Sequence, residues 1–426
     1  MTIATESILQ EPQTAGERQV NTLSCPSDRS WIGTVATIIA LLSGVIVLLA
    51  YRDQLQDQDG VPAEEDVTIE QSSATVSSSL SDDVVPDPVL PSATWPEDAP
   101  PLVVAPLDAG IAAELQGRWA EYLGIEAEMT NSVGMRLILI PPGEFLMGAR
   151  QSDVDLALPG FDANDAHWMA CAKSALPRHQ VRVTRPFYMS RSEVTQSEYQ
   201  QVTGKNPSYY SAGGKEAAYV QQVQGMDTSD HPVEGVSWFD CLEFCNRLSE
   251  REGRYNAYQP KVAESAGGSS PEVARRPASH ALYQPGYRLP SEAQWEMACR
   301  GGTETRFWSG ENPPEGEDPG WHGKAYASRS HRVGEKSPNP FGLYDMNDNV
   351  WEWVQDRFDP DYYQSVSGSE SIDPEGPSKP ATLHIVRGGL WPNSATASFE
   401  RYAYESLYEC NYVGFRVIIP LPDARQ

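Results

Sequence analysis

The chain has 426 residues, 40% of them hydrophobic, with 11 Trp, 34 Pro, 33 Gly and a formal net charge of −27. The length allows two or three units. So acidic a chain argues against a nucleic-acid partner, because phosphate binding needs a basic face, and its six cysteines are too few and scattered for a disulfide framework.

Residues 1–30 read as a short cytoplasmic tail. Trp31 to Tyr51 is an uncharged run of 21 residues with an aromatic at each end, long enough to span a bilayer core. It is expected to be a single-pass transmembrane helix. A cleaved signal peptide is the alternative; the length of the run and the tail before it stand against that. Arg18 and Arg29 precede the span and only Arg52 closely follows it, which favours a C-terminal part outside the cytoplasm. Residues 52–108 hold 13 acidic residues and one basic residue among Ser, Pro and Val. Such a segment buries too little apolar surface to offset its ordering entropy, and it is expected to be a disordered acidic stalk. A short helix is predicted from Ala109 to Leu123, within a 109–127 connector. Its apolar residues Leu115, Trp119, Tyr122 and Leu123 recur at helical spacing.

The globular domain is expected over 128–422. A strand at Leu137–Pro141 and the glycine-bounded run Gly143–Ala149 predict a hairpin. Arg150–Leu176 reads as an insertion. Strands follow at Pro177–Val183 and Phe187–Met189. Three helix starts carry capping pairs: Thr195 with Glu198, Ser237 with Asp240, and Ser291 with Gln294. Gly204 and Gly301-Gly302 stop the first and third. Cys241 and Cys245 share one face of the second helix and read as buried apolar residues more than as metal ligands. Gly253–Tyr287 is expected to be a long polar loop.

Several blocks then stand in order: Ile140-Pro141-Pro142-Gly143-Glu144-Phe145, Glu193-Val194-Thr195, His231-Pro232-Val233, Arg288-Leu289-Pro290-Ser291-Glu292, Asn339-Pro340-Phe341-Gly342, Asn349-Val350-Trp351-Glu352-Trp353, Arg387-Gly388-Gly389 and Gly414-Phe415-Arg416. Together they resemble the sulfatase-modifying factor family, the formylglycine-generating enzymes. The resemblance implies an α+β fold related to C-type lectins, with little regular secondary structure. It also implies where chemistry would sit. Catalytic members place two copper-binding cysteines after the Arg-Gly-Gly motif, and those positions are Asn393 and Ser398 here. Hard oxygen donors do not hold Cu(I), which makes copper an improbable cofactor. The nearest thiol in sequence is Cys410.

The family also holds a structural calcium ion. Carried over, its ligands are the side chains of Asp345 and Glu352 with the carbonyls of Asp348 and Val350. The family commonly has Asn where Asp345 stands and Gly where Asp348 stands. The alternative for this run is an Asx-turn network with no ion. Trp391 is a candidate floor for a ligand groove, or a buried aromatic. His179 and His231 read as loop-holding residues, and no HExxH or phosphate-loop motif is present. The expectation is a membrane-anchored, noncatalytic recognition module for a protein or glycan ligand outside the cytoplasm. The competing readings are a formylglycine-generating oxidoreductase acting on a sulfatase cysteine, and a purely structural surface protein.

Overall fold

A computed structural model of the protein describes residues 95–158, 165–258, 285–312, 321, 329–379, 381–389 and 396–421. The expected tail, transmembrane run and most of the stalk lie outside them. Among the described residues no helix is long and apolar enough to cross a membrane.

The expected stalk does not run to 108. From Trp95 onward the segment packs on the domain: the Trp95 indole donates to the Thr184 carbonyl at 2.9 Å, and its ring meets Trp119 edge-on at 4.7 Å. Strand β1 (Val103–Val104) pairs in parallel with β4 (Gly143–Met147), and Val103 is buried. Trp95 and Val103 supply the apolar area that the acidic stretch before them lacks. Helix α1 (Ala109–Leu123) forms as predicted. Asp108 caps it by accepting from the Ile111 N–H, and Gly124 ends it at φ 65°. Ala112, Leu115 and Trp119 face the core.

The apolar run 137–140 is buried along its whole length in β3 (Arg136–Ile140). A strand covered on both faces reads as a continuous hydrophobic run. The predicted hairpin with β4 is absent. Pro141 and Pro142 intervene, and the two strands enter different sheets. Instead β3 lies between β2 (Glu128–Thr130) and β6 (Phe187–Ser190), while β4 pairs antiparallel with β5 (His179–Val183). Prolines without an N–H suit such a crossing between sheets. The 150–176 segment carries two short helices, α2 (Gln151–Ala157) and α3 (Ala166–Lys173). Trp168 of α3 packs on Tyr402, with ring centres 4.8 Å apart.

The three capped helices form where expected: α4 (Gln196–Thr203), α6 (Trp238–Arg251) and α7 (Glu292–Arg300), each with its capping box closed. A one-turn helix α5 (Ala217–Gln222) lies between the first two. Cys241, Leu242, Phe244, Cys245 and Leu248 form the buried face of α6, and Phe244 stacks on Tyr199 of α4 at 5.4 Å. Each such side chain contributes about 1.5–3 kcal/mol of burial. Of the expected long loop, 259–284 lies outside the described residues, and Tyr258 and Tyr287 at its ends are buried.

The C-terminal part adds β7 (Trp351–Arg357), α8 (Tyr362–Val366), β8 (Ser371–Ile372), β9 (Leu383–Arg387), β10 (Tyr402–Glu405), β11 (Val413–Phe415) and β12 (Ile418–Pro420). The described strands make three four-stranded sheets, ordered β1-β4-β5-β8, β10-β9-β7-β11 and β12-β6-β3-β2. Strand β7 is buried throughout although it carries Glu352, Asp356 and Arg357.

Candidate functional site

Residues Glu292, Glu296 and Arg300 fall four apart, so they share one face of α7. That face meets the end of β9. Arg387 donates to Glu292 Oε1 at 3.1 Å and to Glu296 Oε2 at 2.7 Å. Arg401 makes a two-point contact with Glu292 at 2.7 and 2.8 Å. Arg300 and the Gly148 N–H both donate to Glu296 Oε1, at 2.8 and 2.9 Å. All five charged side chains are buried. Burial alone would raise the Glu296 pKa, but Arg300 and Arg387 hold it below its ordinary value. The Arg387 motif is therefore structural. It also reaches forward, donating to the Ser398 carbonyl at 2.6 Å.

A fourth buried arginine closes the acidic loop. Arg416 grips Glu352 through both its oxygens, at 2.6 and 2.7 Å, and the Trp295 indole donates to Glu352 Oε2 at 2.8 Å. Arg416 also donates to the Tyr344 carbonyl at 3.0 Å. Between these anchors the backbone turns left-handed three times, at Asp345 (φ 54°), Asp348 (φ 71°) and Asn349 (φ 66°). Asp348 thus takes a left-handed conformation that glycine adopts most easily, a cost that Asp and Asn bear better than most residues. Its side chain accepts from the Thr396 N–H at 3.0 Å, and its own N–H donates to the Gly388 carbonyl at 2.7 Å.

Asp345 accepts from the Gly334 N–H at 2.7 Å through Oδ2, while Oδ1 is buried without a hydrogen-bond partner. Burial pushes its pKa up to about 6. Against it lies Glu193, which sequence reasoning did not single out. Glu193 is 1% exposed; Oε1 accepts from the Asn349 side chain at 3.0 Å and Oε2 has no hydrogen-bond partner. Burial, then the charges of Asp345 and Glu352, raise its pKa well above the carboxylate range. One signal was present: an acid three residues after a buried strand, at a place where Glu198 already serves the helix cap. The carried-over calcium ligands are thus brought to one loop. Asp345 Oδ1 suits a hard cation, whereas both oxygens of Glu352 are engaged. Among the described residues no group of three or more His, Cys, Asp or Glu side chains is arranged to hold a metal, so an ion here would depend on backbone carbonyls.

Ser398 is fully buried, and its N–H donates to the Arg306 carbonyl at 2.8 Å. Its hydroxyl lies beside the thiol of Cys299, on α7. The thiol at this position is therefore Cys299, although Cys410 is nearer in sequence. Desolvation pushes the Cys299 thiol up to about 11, so it stays protonated at neutral pH. Cys171, Cys241, Cys245, Cys299 and Cys410 are all buried. Trp391 and Asn393 lie outside the described residues. His179 and His231 are buried; the former contacts the Pro177 carbonyl at 3.1 Å, as expected of a loop-holding residue.

A family model described as "Sulfatase-modifying factor enzyme 1-like domain" matches residues 126–421. The chain belongs to that family. The chaperone protein LppX of Paenibacillus barcinonensis is 27% identical over 247 residues, covering 54% of this chain and 76% of that protein. The formylglycine-generating enzyme of Thermomonospora curvata is 27% identical over 285 residues, 61% of this chain and 83% of the enzyme. The solved structure of Treponema denticola variable protein 1 aligns with a TM-score of 0.53 and 26% identity, covering 69% of this chain and 99% of that one. Within this sulfatase-modifying-factor domain the signature blocks meet in space: Arg387 and Arg416 bind the acids of α7 and β7, and the loop from Asp345 to Glu352 is tied to Arg416 through Glu352 and to Thr396 through Asp348.

Proposed function

We propose that this chain displays a noncatalytic sulfatase-modifying-factor-like recognition module outside the cytoplasm, held by the 31–51 span and the acidic tether that follows it. The observation that carries the noncatalytic reading is position 398, a buried serine packed against a thiol that burial keeps protonated. Cu(I) needs soft thiolate ligands, and Asn393 supplies none. Relatedness to a protein named a chaperone favours a protein ligand over a glycan. Trp391 is our candidate for a groove floor beside position 393.

The competing reading, a copper-dependent oxidase of sulfatase cysteines, draws on the formylglycine-generating relatives. The deciding experiment incubates the full-length, detergent-solubilised protein with Cu(I), oxygen and a sulfatase-motif peptide. Mass spectrometry should return the cysteine unchanged; conversion to formylglycine would refute the noncatalytic reading. Protease added to intact cells tests the topology: the domain should be removed, and protection of the domain would reverse the orientation.

We also propose that calcium binds the 345–352 loop as a structural ion. Asp345 would supply a carboxylate oxygen, and Asp348 and Val350 would supply carbonyls. The ion would neutralise the acid that faces Glu193.

A further inference from the structure

Between the turn at 133–136, the start of α4 and the segment around Gly334 and Tyr344 lies an open cleft of about 360 Å³. Arg136, Arg191, Ser192, Ser197, Gln201 and Tyr344 line it, with two acids, Glu198 and Asp230. Most of these charges already have partners. Arg136 pairs with Glu128, Asp230 pairs with Arg332, and Glu198 closes the α4 capping box. Arg191 differs. Among the described residues no carboxylate pairs with it, in a chain of net charge −27.

Its guanidinium is nonetheless fixed in place. The group sits over the Tyr344 ring, 4.4 Å from the centroid, and donates to the Tyr344 hydroxyl at 2.7 Å. The backbone is held on both sides: the Arg191 N–H donates to Arg136 at 2.8 Å, and the Arg191 carbonyl accepts from Tyr344 at 2.7 Å. An arginine fork oriented in advance loses little freedom when it binds, which is what an anion site requires. Serine and glutamine side chains beside it offer further donors.

We propose that this cleft binds a carboxylate presented by a partner protein, with Arg191 as the group that grips it and Tyr344 as the residue that positions Arg191. The proposal rests on the recognition reading and names the chemistry of its ligand. A carboxylate fits better than a phosphate, because Glu198 and Asp230 on the same walls repel a second negative charge. A peptide fits better than a sugar, because the Tyr344 face on which a sugar would stack is covered by Arg191.

The test measures fluorescence anisotropy of labelled short peptides on the full-length, detergent-solubilised protein. One peptide carries a central Glu and an amidated end. A second carries Gln with an amidated end. A third carries Gln with a free terminal carboxylate, which separates a side-chain source from a chain-end source. Binding of the first or third, with the second about tenfold weaker or more, is expected from the loss of a charge-assisted hydrogen bond. Arg191→Gln should weaken the bound peptide by a similar factor. Arg191→Lys should recover part of the loss, and Tyr344→Phe should weaken binding by less than Arg191→Gln. Arg191→Glu should exchange preference to a Lys-centred peptide, a result that misfolding cannot produce. The proposal fails if all peptides bind the wild type alike, if none binds at millimolar concentration, or if Arg191→Gln leaves binding unchanged. That failure would leave the noncatalytic reading intact, because the formylglycine assay reads it separately.

Discussion

Replacing Glu296 by glutamine should destabilise the domain more than any change to its surface charges. The side chain accepts hydrogen bonds from Arg300 at 2.9 and 2.8 Å, from the Gly148 N–H at 2.9 Å and from Arg387 at 2.7 Å. In Glu296→Gln, Arg300 would lose the carboxylate it pairs with, Arg387 and Arg401 would be left to share Glu292, and an amide NH₂ would oppose a donor. Removing one partner of a buried ion pair costs about 3–5 kcal/mol. Against a total stability of about 5–15 kcal/mol that is a large fraction. At about 2 °C per kcal/mol for a domain of this size, the melting temperature should fall by roughly 6–10 °C. The control is Glu243→Gln, whose partner Arg247 lies at 2.6 Å but whose side chains are 57% and 46% exposed. An exposed helix pair contributes about 0.3–0.5 kcal/mol, so this variant should melt with the wild type. Tryptophan fluorescence of the full-length protein in one detergent reads all three melts. If Glu296→Gln and Glu243→Gln melt together, the buried network is not what holds α7 to β9.

Chelation of calcium should lower the melting temperature of the wild type, because an ion that binds only the folded state stabilises it by mass action. Asp345→Ala should remove that dependence, because it deletes the side-chain oxygen, and identical wild-type melts with chelator and with calcium would reject the ion. Asp356 gives a pH dependence of definite sign. Burial, then the charge of Glu292, pushes its pKa up to about 8 from an ordinary 3.8. A group raised in the fold contributes its full stability below the ordinary value and loses it as pH rises through the folded value. The melting-temperature difference between wild type and Asp356→Asn should therefore move against the wild type as pH rises from about 4 to about 8. A difference independent of pH would show that the carboxyl ionises in the fold as it does in water.

What the sequence made legible was mostly local. Thr195, Ser237 and Ser291 each met a partner three residues on, and each cap closed as read, because a cap is decided within one turn of chain. The hairpin at 137–149 failed because pairing is decided by sheets far away in sequence: β3 found β6 and β4 found β5. The stalk was drawn too long for a similar reason, since Trp95 is ordered by Thr184 and Trp119. Of the candidate site, the loop from Asp345 to Glu352 came from resemblance. Glu193 was missed because its partners Asn349 and Asp345 are more than 150 residues away. Cys299 was passed over because chain order pointed to Cys410, while helix α7 brings Cys299 to Ser398 through space.

Arg387 binds the carbonyl of Ser398, Asp348 binds the N–H of Thr396, and the Asp348 N–H binds the carbonyl of Gly388. Every one of these ties holds main-chain atoms at the margins of the 390–395 segment. They are indifferent to side-chain identity within it. A segment whose flanks are fastened in this way can change in sequence without altering the bonds at its margins. Side chains can be exchanged there by substitutions that these three ties do not register.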